Sequence, residues 1–198
     1  MLTQVTWTCS KHFATLRQVR SIWRSVSKEV LQSLLVALVF SRFYYGSASL
    51  AGLLKQLLDR LQSVQNAAAR SIFSARRQNH VQPLLCSLHW LQVPERILFP
   101  LAVVLYRCFH GATPSYLASE LQHVSDSDLN TCRRLRSSSM SVLVTPRTLQ
   151  AATGDCAFPA AAASIWNSLP ESVRASASLP VFHSKLKIEL FARSYSLL

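Results

Sequence analysis

An apolar stripe with helical spacing between residues 53 and 75 constrains the fold of this chain more than any other feature. Its members recur every three or four residues, which is the spacing of one face of an α-helix. They are Leu54, Leu57, Leu61, Val64, Ala68 and Ile72. At about 100° per residue, Lys55, Arg70 and Arg77 fall on the opposite side, so the pattern predicts a helix with one buried face and one cationic face.

Other helices are predicted on both sides of this one. They cover residues 12–25, 30–45, 83–88, 94–110 and 115–124, with two more within 158–198. Ser27 is the expected N-cap of the second helix, which is apolar almost all round and is therefore expected to be the central core helix. Pro100 predicts either a kink or a helix that starts near Phe99. The fold class expected is mainly α: a helical bundle, an irregular linker and two C-terminal helices.

The stripes of the outer helices are also readable from the sequence. In the first helix, apolar spacing selects Phe13, Leu16, Val19 or Arg20, and Trp23. In the two C-terminal helices, the stripes are Phe158, Ala162, Ile165, Trp166 and Leu169, followed by Leu179, Phe182, Leu186 and Leu190. Between the two sets of helices, residues 125–157 are Ser-rich and lose the periodicity. They predict a linker with one short β-like stretch at 142–145. The chain therefore divides into 1–124, 125–157 and 158–198.

Positive charge is concentrated in the first half of the chain. Residues 1–110 hold 13 Lys and Arg against 3 Asp and Glu, whereas residues 111–198 hold 8 against 6, so +10 of the net +12 lies in the first half. Two interpretations stay open. The basic half has a polyanionic partner, or it presents a solvated basic surface that has none.

Several classes of protein fit the composition poorly. The longest apolar run, at 34–40, is far shorter than the roughly 20 residues of a membrane span, so no membrane partner is predicted. The first 20 residues lack the apolar region of a signal peptide, which favours an intracellular protein of the nucleus or cytoplasm, not a secreted one. Five scattered cysteines without C-x2-C spacing are expected to be free thiols rather than disulfides or zinc ligands.

No pattern of catalytic residues is found. The phosphate-binding glycine loops and the H-E-x-x-H metal signature are absent from the sequence. Asp126 and Asp128 lie in the Ser-rich segment, where rigid support for metal ions is not expected. Cys108 and His110 are two positions apart on a predicted helix and do not face each other. No catalytic residue, metal site or cofactor is therefore predicted.

Binding chemistry remains, because the cations lie on consecutive helices. If these helices pack by their apolar faces, several cations can share an outer surface that contacts nucleic-acid phosphates without reading sequence. The candidate nucleic-acid-binding residues are Arg17, Arg20, Arg24, Lys55, Arg70, Arg76 and Arg77. Trp23 and Phe73 either stack on bases or belong to the core.

Four blocks of sequence together resemble a known family. They are "LRQVRSIWRSVSKEVLQSLLVALVFSRFYYGSASLAG", "LLDRLQSVQNAAARSIF", "HVQPLLCSLHWLQVPERI" and "FPAAAASIWNSLPESV", the last followed by "SLPVFHSKLKIELF". Over residues 12 to 195 the chain resembles the C-terminal tail of the reverse transcriptases of LINE-type non-LTR retrotransposons. The resemblance implies that residues 1–124 are similar to the polymerase thumb, which lies against the template–primer duplex. It implies no catalytic residue, because the palm carboxylates and the endonuclease of the family are not matched.

The chain also departs from the family pattern. The family usually has arginine at the positions of Trp23, Cys86 and Cys156, and proline at the position of Leu54. Each of these replacements is a single C-to-T change in a codon. They suggest the hypothesis of a mutationally worn copy.

The function expected is that of a non-catalytic fragment, derived from such a reverse transcriptase, which binds RNA or DNA backbones non-specifically. Three alternatives stay open. One is a helical interaction or structural module that self-associates through exposed apolar helix faces. The others are a decayed element with no selected function, and a piece of a full RNA-directed DNA polymerase whose palm precedes it.

Overall fold

The computed structural model describes residues 2–22, 25–41, 55–119, 121, 143 and 158–195. These residues are mostly helical and include no strand, which confirms the mainly α fold class. The helices are α1 (Leu2–Ile22), α2 (Lys28–Leu35, continued by a π-helical turn Val36–Phe40), α3 (Lys55–Ile72), α4 (Gln82–Ser87), α5 (Val93–Phe109), α6 (Ser115–Ser119), α7 (Phe158–Ser168), α8 (Glu171–Arg174) and α9 (Leu179–Tyr195).

The chain forms two compact units. Unit 1 contains residues 1–47, 53–97 and 190–198, and unit 2 contains residues 48–52 and 98–189. By sequence, unit 1 holds 13 basic and 3 acidic residues, whereas unit 2 holds 8 and 6. The division into 1–124, 125–157 and 158–198 stays a prediction, since only Leu143 of the linker lies within the described residues.

The packing of α1 and α3 builds much of the core of unit 1. The predicted stripe of α3 is buried from Leu57 to Ile72, which confirms it over the described residues. In α1 the prediction was partly wrong. The helix begins ten residues earlier than expected, and Phe13 is only half-buried. The observed α1 stripe consists of Val5, Cys9, His12, Leu16 and Val19.

The second helix begins as predicted but is not buried all round. The Ser27 hydroxyl accepts a hydrogen bond from the Val30 amide at 3.4 Å, which confirms the N-cap. Leu31, Leu35, Val39 and Phe40 are buried, whereas the exposed side chains include Val30, Val36 and Leu38, at 46%, 40% and 45%. The expectation of a central core helix was therefore wrong over 28–41. Apolar composition alone does not reveal how many neighbours surround a helix.

The residue 90–93 segment connects α4 to α5, and α3 supplies hydrogen bonds to its backbone. The Gln65 side-chain amide, fully buried, donates to the Leu91 carbonyl at 2.7 Å. The Gln62 side-chain oxygen accepts from the Val93 amide at 2.8 Å. Because buried backbone groups without partners are costly, these two glutamines allow an irregular segment to lie in the core.

The last turn of α9 supplies the other hydrogen bonds to the same segment. The Tyr195 hydroxyl donates to the Trp90 carbonyl. The Gln92 side chain donates to the Ser194 carbonyl at 2.8 Å, and the Gln92 amide donates to the Ser194 hydroxyl at 3.4 Å. Burial raises the pKa of Tyr195 well above its ordinary range, so its hydroxyl remains a donor.

Helix α5 begins at Val93, so the alternative start near Phe99 was wrong. Pro100 lies inside the helix, where it has no N–H to donate to the carbonyl four residues earlier. That carbonyl belongs to Arg96. The side chain of the same residue makes a separate contact: its guanidinium lies 4.1 Å from the centroid of the Phe40 ring and 5.9 Å from that of the Trp90 ring. The half-buried Arg96 therefore packs against buried aromatic rings of unit 1.

Aromatic contacts hold unit 2 together. The Tyr106 and Phe182 rings stack at 4.3 Å between centroids, and the Phe109 and Trp166 rings meet at 4.5 Å. The Tyr106 hydroxyl donates to the Ser176 carbonyl at 2.8 Å. The predicted stripes are buried at Ala162 and Trp166 of α7, at Leu169 just after that helix, and at Phe182, Leu186 and Leu190 of α9, of which Leu190 belongs to unit 1. Phe158, Ile165 and Leu179 are half-buried.

Three helices end in the same way, with a residue in the left-handed conformation. These residues are Ser74 after α3, His89 after α4 and Gly111 after α5, with φ of 51°, 51° and 65°. In each case the amide of the following residue donates a hydrogen bond to the carbonyl five residues before it, as the Ala75 amide does to the Arg70 carbonyl at 2.9 Å. This arrangement is the Schellman motif. This ending places the end of α3 at Ile72, three residues before the predicted boundary.

We expect replacement of Ser74 by glycine to stabilise the protein. A residue with a side chain pays about 1–2 kcal/mol to adopt the left-handed conformation, and glycine removes this cost. Because glycine also makes the unfolded chain more flexible, part of the benefit is lost, and Ser74→Gly should raise the free energy of unfolding by about 0.5–1 kcal/mol. Urea unfolding measures it. The matched change is Gly111→Ala, which should destabilise by about 1 kcal/mol because alanine is strained at a φ of 65°, even though the added Cβ would meet nothing within 4 Å. A Ser74→Gly protein with a lower free energy of unfolding than the unmodified chain would contradict this account.

We expect Gln65→Met to destabilise the protein by about 1–3 kcal/mol, because it leaves the buried Leu91 carbonyl without its donor at nearly constant side-chain volume. Urea unfolding followed by tryptophan fluorescence is the measurement. Gln78→Met, at an exposed position, is the control and should change stability by less than about 0.5 kcal/mol. Equal stability of the two variants would show that this hydrogen bond contributes little.

Candidate nucleic-acid interface

Six of the seven predicted binding residues lie in the described part of the chain, all within unit 1. Arg17 and Arg20 are exposed on α1, and Lys55 is exposed at the start of α3. Arg76 and Arg77 are exposed in the turn after α3 rather than on the helix. Arg70 is half-buried in the last turn of α3. Arg24 lies outside the described residues, as does Trp23.

Two contacts fix the relative direction of α1 and α3. The Arg60 guanidinium donates to the Thr6 hydroxyl at 3.0 Å, which joins the early turns of both helices. Beyond their other ends, the Lys28 ammonium lies 3.9 Å from the centroid of the Phe73 ring. The six steps from Ile22 to Lys28 span at most about 22 Å, which is too short for an antiparallel arrangement. Together with the close packing of α1 on α3, this means that the two helices run in broadly the same direction.

This parallel arrangement brings most of the candidate cations to one end of unit 1. Arg17 lies eleven residues beyond Thr6, and Arg70 lies ten residues beyond Arg60, rises of about 16 and 15 Å respectively. Arg17, Arg20, Arg76 and Arg77 thus share the end where α1 and α3 finish. We call this the cationic end. Lys55 is at the opposite end of α3, about 22 Å from Arg70 along the helix axis.

Arg70 contacts the turn that carries Arg76 and Arg77. Its guanidinium donates to the Asn79 carbonyl at 3.5 Å, a long hydrogen bond. Its Nε atom is buried and has no hydrogen-bond partner among the residues that the structure describes. Within the same turn, the Asn79 amide donates to the Arg76 carbonyl at 3.1 Å. Arg70 therefore helps to shape the turn rather than extending fully into solvent.

Lys28 belongs to the cationic end, although the sequence pattern did not single it out. It is exposed and lies over the half-buried Phe73 ring. Ser27 as N-cap signals that Lys28 begins a helix, but only packing brings it to the end of α3. Phe73 is therefore neither fully buried nor freely exposed, and its accessible face is shared with a cation.

The acidic residues of unit 1 are few, and they leave the cationic end strongly positive. They are Glu29, Asp59 and Glu95. Glu29 follows Lys28, and hydrogen bonds from its own backbone amide and from Ser27 lower the pKa of its carboxyl, which is therefore ionised at neutral pH. Asp59 adjoins Arg60, toward the other end of α3.

Burial also affects two cysteine thiols of unit 1. Burial raises the pKa of the Cys9 thiol, with Arg60 opposing the shift, and a protonated thiol is a poor nucleophile. Burial also raises the pKa of the Cys86 thiol. In the described ranges, no three His, Cys, Asp or Glu side chains are placed to hold a metal ion. None of the helices described is long and apolar enough to cross a bilayer.

Comparison with protein-family models, with curated proteins and with solved structures found no match to this chain.

Proposed function

We propose that this chain is a non-catalytic fragment of retrotransposon reverse-transcriptase origin that binds RNA or DNA backbones without sequence preference. The observation that supports the binding proposal most is the cationic end. Arg17, Arg20, Lys28, Arg76 and Arg77 come from three parts of the sequence and are exposed at one end of unit 1. Arginine and lysine there supply N–H donors for phosphate oxygens.

The chemistry of this surface favours contact with phosphates over recognition of bases. The mobile ends of exposed arginine and lysine side chains adapt to differently spaced phosphates, and binding releases condensed counterions. The half-buried Phe73 under Lys28 offers limited stacking area. Lys55, at the far end of α3, is expected to contribute only to long-range attraction, and Arg70 chiefly by holding the turn that presents Arg76 and Arg77.

We expect Arg76→Gln/Arg77→Gln to weaken binding of a labelled 20-nucleotide RNA and to flatten its salt dependence. Loss of two phosphate contacts should reduce the slope of log affinity against log salt by about 1.4–1.8. Fluorescence anisotropy at several salt concentrations between about 50 and 200 mM, with single-stranded RNA and duplex DNA as separate probes, measures both effects.

The control variant removes the same charge elsewhere. Arg107 and Lys187 are exposed cations of unit 2, so Arg107→Gln/Lys187→Gln lowers the net charge equally without touching the cationic end. We expect the control to keep most of the binding. Equal weakening by both pairs would mean that overall charge, not the cationic end, accounts for binding. Affinity that does not fall with salt would reject phosphate contacts.

The proposed origin has a separate test. A worn copy accumulates replacements without regard to protein function, so synonymous and non-synonymous changes among close copies should occur at similar rates per site. Strong purifying selection on this chain would contradict a decayed copy and would favour a maintained protein.

Self-association is a second candidate function, favoured by the exposed apolar face of α2. Val30, Val36 and Leu38 are 46%, 40% and 45% exposed, and a shallow groove beside them is lined by Glu29, Val30, Ser33, Leu34 and Ala37. An apolar face in water favours contact with a similar face on a second copy. The net charge of +12 opposes that contact.

We therefore expect self-association to strengthen as salt rises, which is opposite to nucleic-acid binding, because salt screens the repulsion between copies. Light scattering with size exclusion at low and high salt measures it. Leu38→Ser should reduce any dimer, whereas Thr15→Ser, on α1, should not. A monomer at every salt concentration would exclude this candidate.

A further inference from the structure

One side chain of unit 2 holds the backbone of a distant chain segment in a manner typical of peptide recognition. The Asn167 side-chain oxygen accepts from the Leu143 amide at 3.0 Å, and the Asn167 side-chain nitrogen donates to the Leu143 carbonyl at 2.9 Å. Both residues belong to unit 2, and 24 positions separate them in the chain. The Asn167 side chain thus bonds both the backbone N–H and the backbone C=O of Leu143.

This pairing selects an extended backbone. A primary amide has one acceptor and one donor group, the same complement as a peptide unit. The N–H and C=O of one residue point to the same side only when that residue is extended, as in an antiparallel ladder. Asn167 therefore acts like a neighbouring strand, and the hydrogen bonds depend on backbone conformation rather than on the side chain held.

The side chain of Leu143 supplies a second requirement. It is 2% exposed, although it belongs to a polar, Ser-rich part of the sequence. On α7, Ala160 and Ala163 lie seven and four residues before Asn167 and so share its face, and both are buried. Small side chains let another backbone approach a helix closely. The combination suits an extended segment with one large aliphatic side chain.

The helices of unit 2 pack on each other through contacts that do not involve Leu143. The Tyr106–Phe182 and Phe109–Trp166 ring pairs join α5, α7 and α9, and Lys185 donates to the Ser172 carbonyl at 2.9 Å. These contacts join the helices to one another directly, so Leu143 is buried against a core that has its own helix-to-helix contacts.

We infer that Asn167 and its face of α7 form a binding site for an extended peptide with one large aliphatic side chain, and that the chain's own Leu143 occupies it. The site lies in unit 2 and uses no residue of the cationic end. It is therefore independent of the proposed nucleic-acid binding, and either can fail alone.

The experiment uses the full chain with Leu143→Lys, which empties the site of its own ligand. The probe is a labelled peptide of residues 140–147, "MSVLVTPR", followed by fluorescence anisotropy. A tethered ligand competes at an effective concentration of order mM, so the variant should bind the peptide at least tenfold more tightly than the unmodified chain. Equal affinity for both chains would overturn the proposal.

Two controls distinguish binding through the backbone hydrogen bonds from non-specific binding of the peptide. A peptide N-methylated at the position of Leu143 lacks the donated proton and should bind at least tenfold more weakly. Adding Asn167→Leu to the Leu143→Lys chain should have the same effect, whereas adding Asn79→Leu, an exposed position in unit 1, should not. Binding that ignores both N-methylation and Asn167→Leu would refute the site.

A measurement on the unsubstituted Leu143 keeps the test decisive if Leu143→Lys does not fold. Amide hydrogen exchange of Leu143 should be slow in the unmodified chain and at least tenfold faster in Asn167→Leu. Unchanged protection would overturn the inference. A dimer formed by the unmodified chain and lost in Asn167→Leu would also overturn it, because the occupant would then come from a second copy.

Discussion

The hydrogen bonds to the backbone of the residue 90–93 segment are the interaction on which unit 1 depends. This segment joins α4 to α5, is not helical over residues 90–92, and has Trp90, Leu91 and Val93 buried. Its carbonyl and amide groups therefore need partners other than water. Gln65 from α3 and Tyr195 from α9 supply donors at consecutive carbonyls. Gln65 and Tyr195, 130 positions apart in the chain, are thereby held on one short segment, and α5 begins from a fixed point.

The core also decides where the positive charge lies. Side-by-side packing of α1 and α3 in one direction, with Thr6 beside Arg60, places the ends of both helices together. The cations near those ends are left outside because the apolar stripes of the same helices face each other. Another cation of unit 1, Arg96, is half-buried and packs against Phe40. The net charge of unit 1 alone does not distinguish these roles.

The two proposed binding sites share a physical character. Phosphate groups repeat along a nucleic acid whatever its bases, and an amide and carbonyl repeat along a peptide whatever its side chains. The cationic end is suited to the first pattern and Asn167 to the second. Both sites are thus expected to select the form of a polymer more strongly than its sequence, with Leu143 adding a preference for one aliphatic side chain.

The sequence by itself determined the helices and most buried faces, because the spacing of apolar residues repeats with the period of the helix. The stripe from Leu57 to Ile72 and the N-cap at Ser27 are examples. It could not determine the end of α3 at Ile72, which depends on a serine in a conformation usually taken by glycine. For the candidate site, an exposed cation such as Arg17 could be named from the helical pattern alone, whereas Arg77, expected on the helix, lies in the turn after it.

Only the tertiary structure decided which cations lie together. It separated Lys55 from the cationic end, added Lys28 through its contact with Phe73, and turned Arg70 toward Asn79. It also exposed one face of α2 and paired Asn167 with Leu143. Local periodicity describes how a helix divides into faces. The neighbour that each face meets depends on contacts between distant residues, which no local pattern encodes.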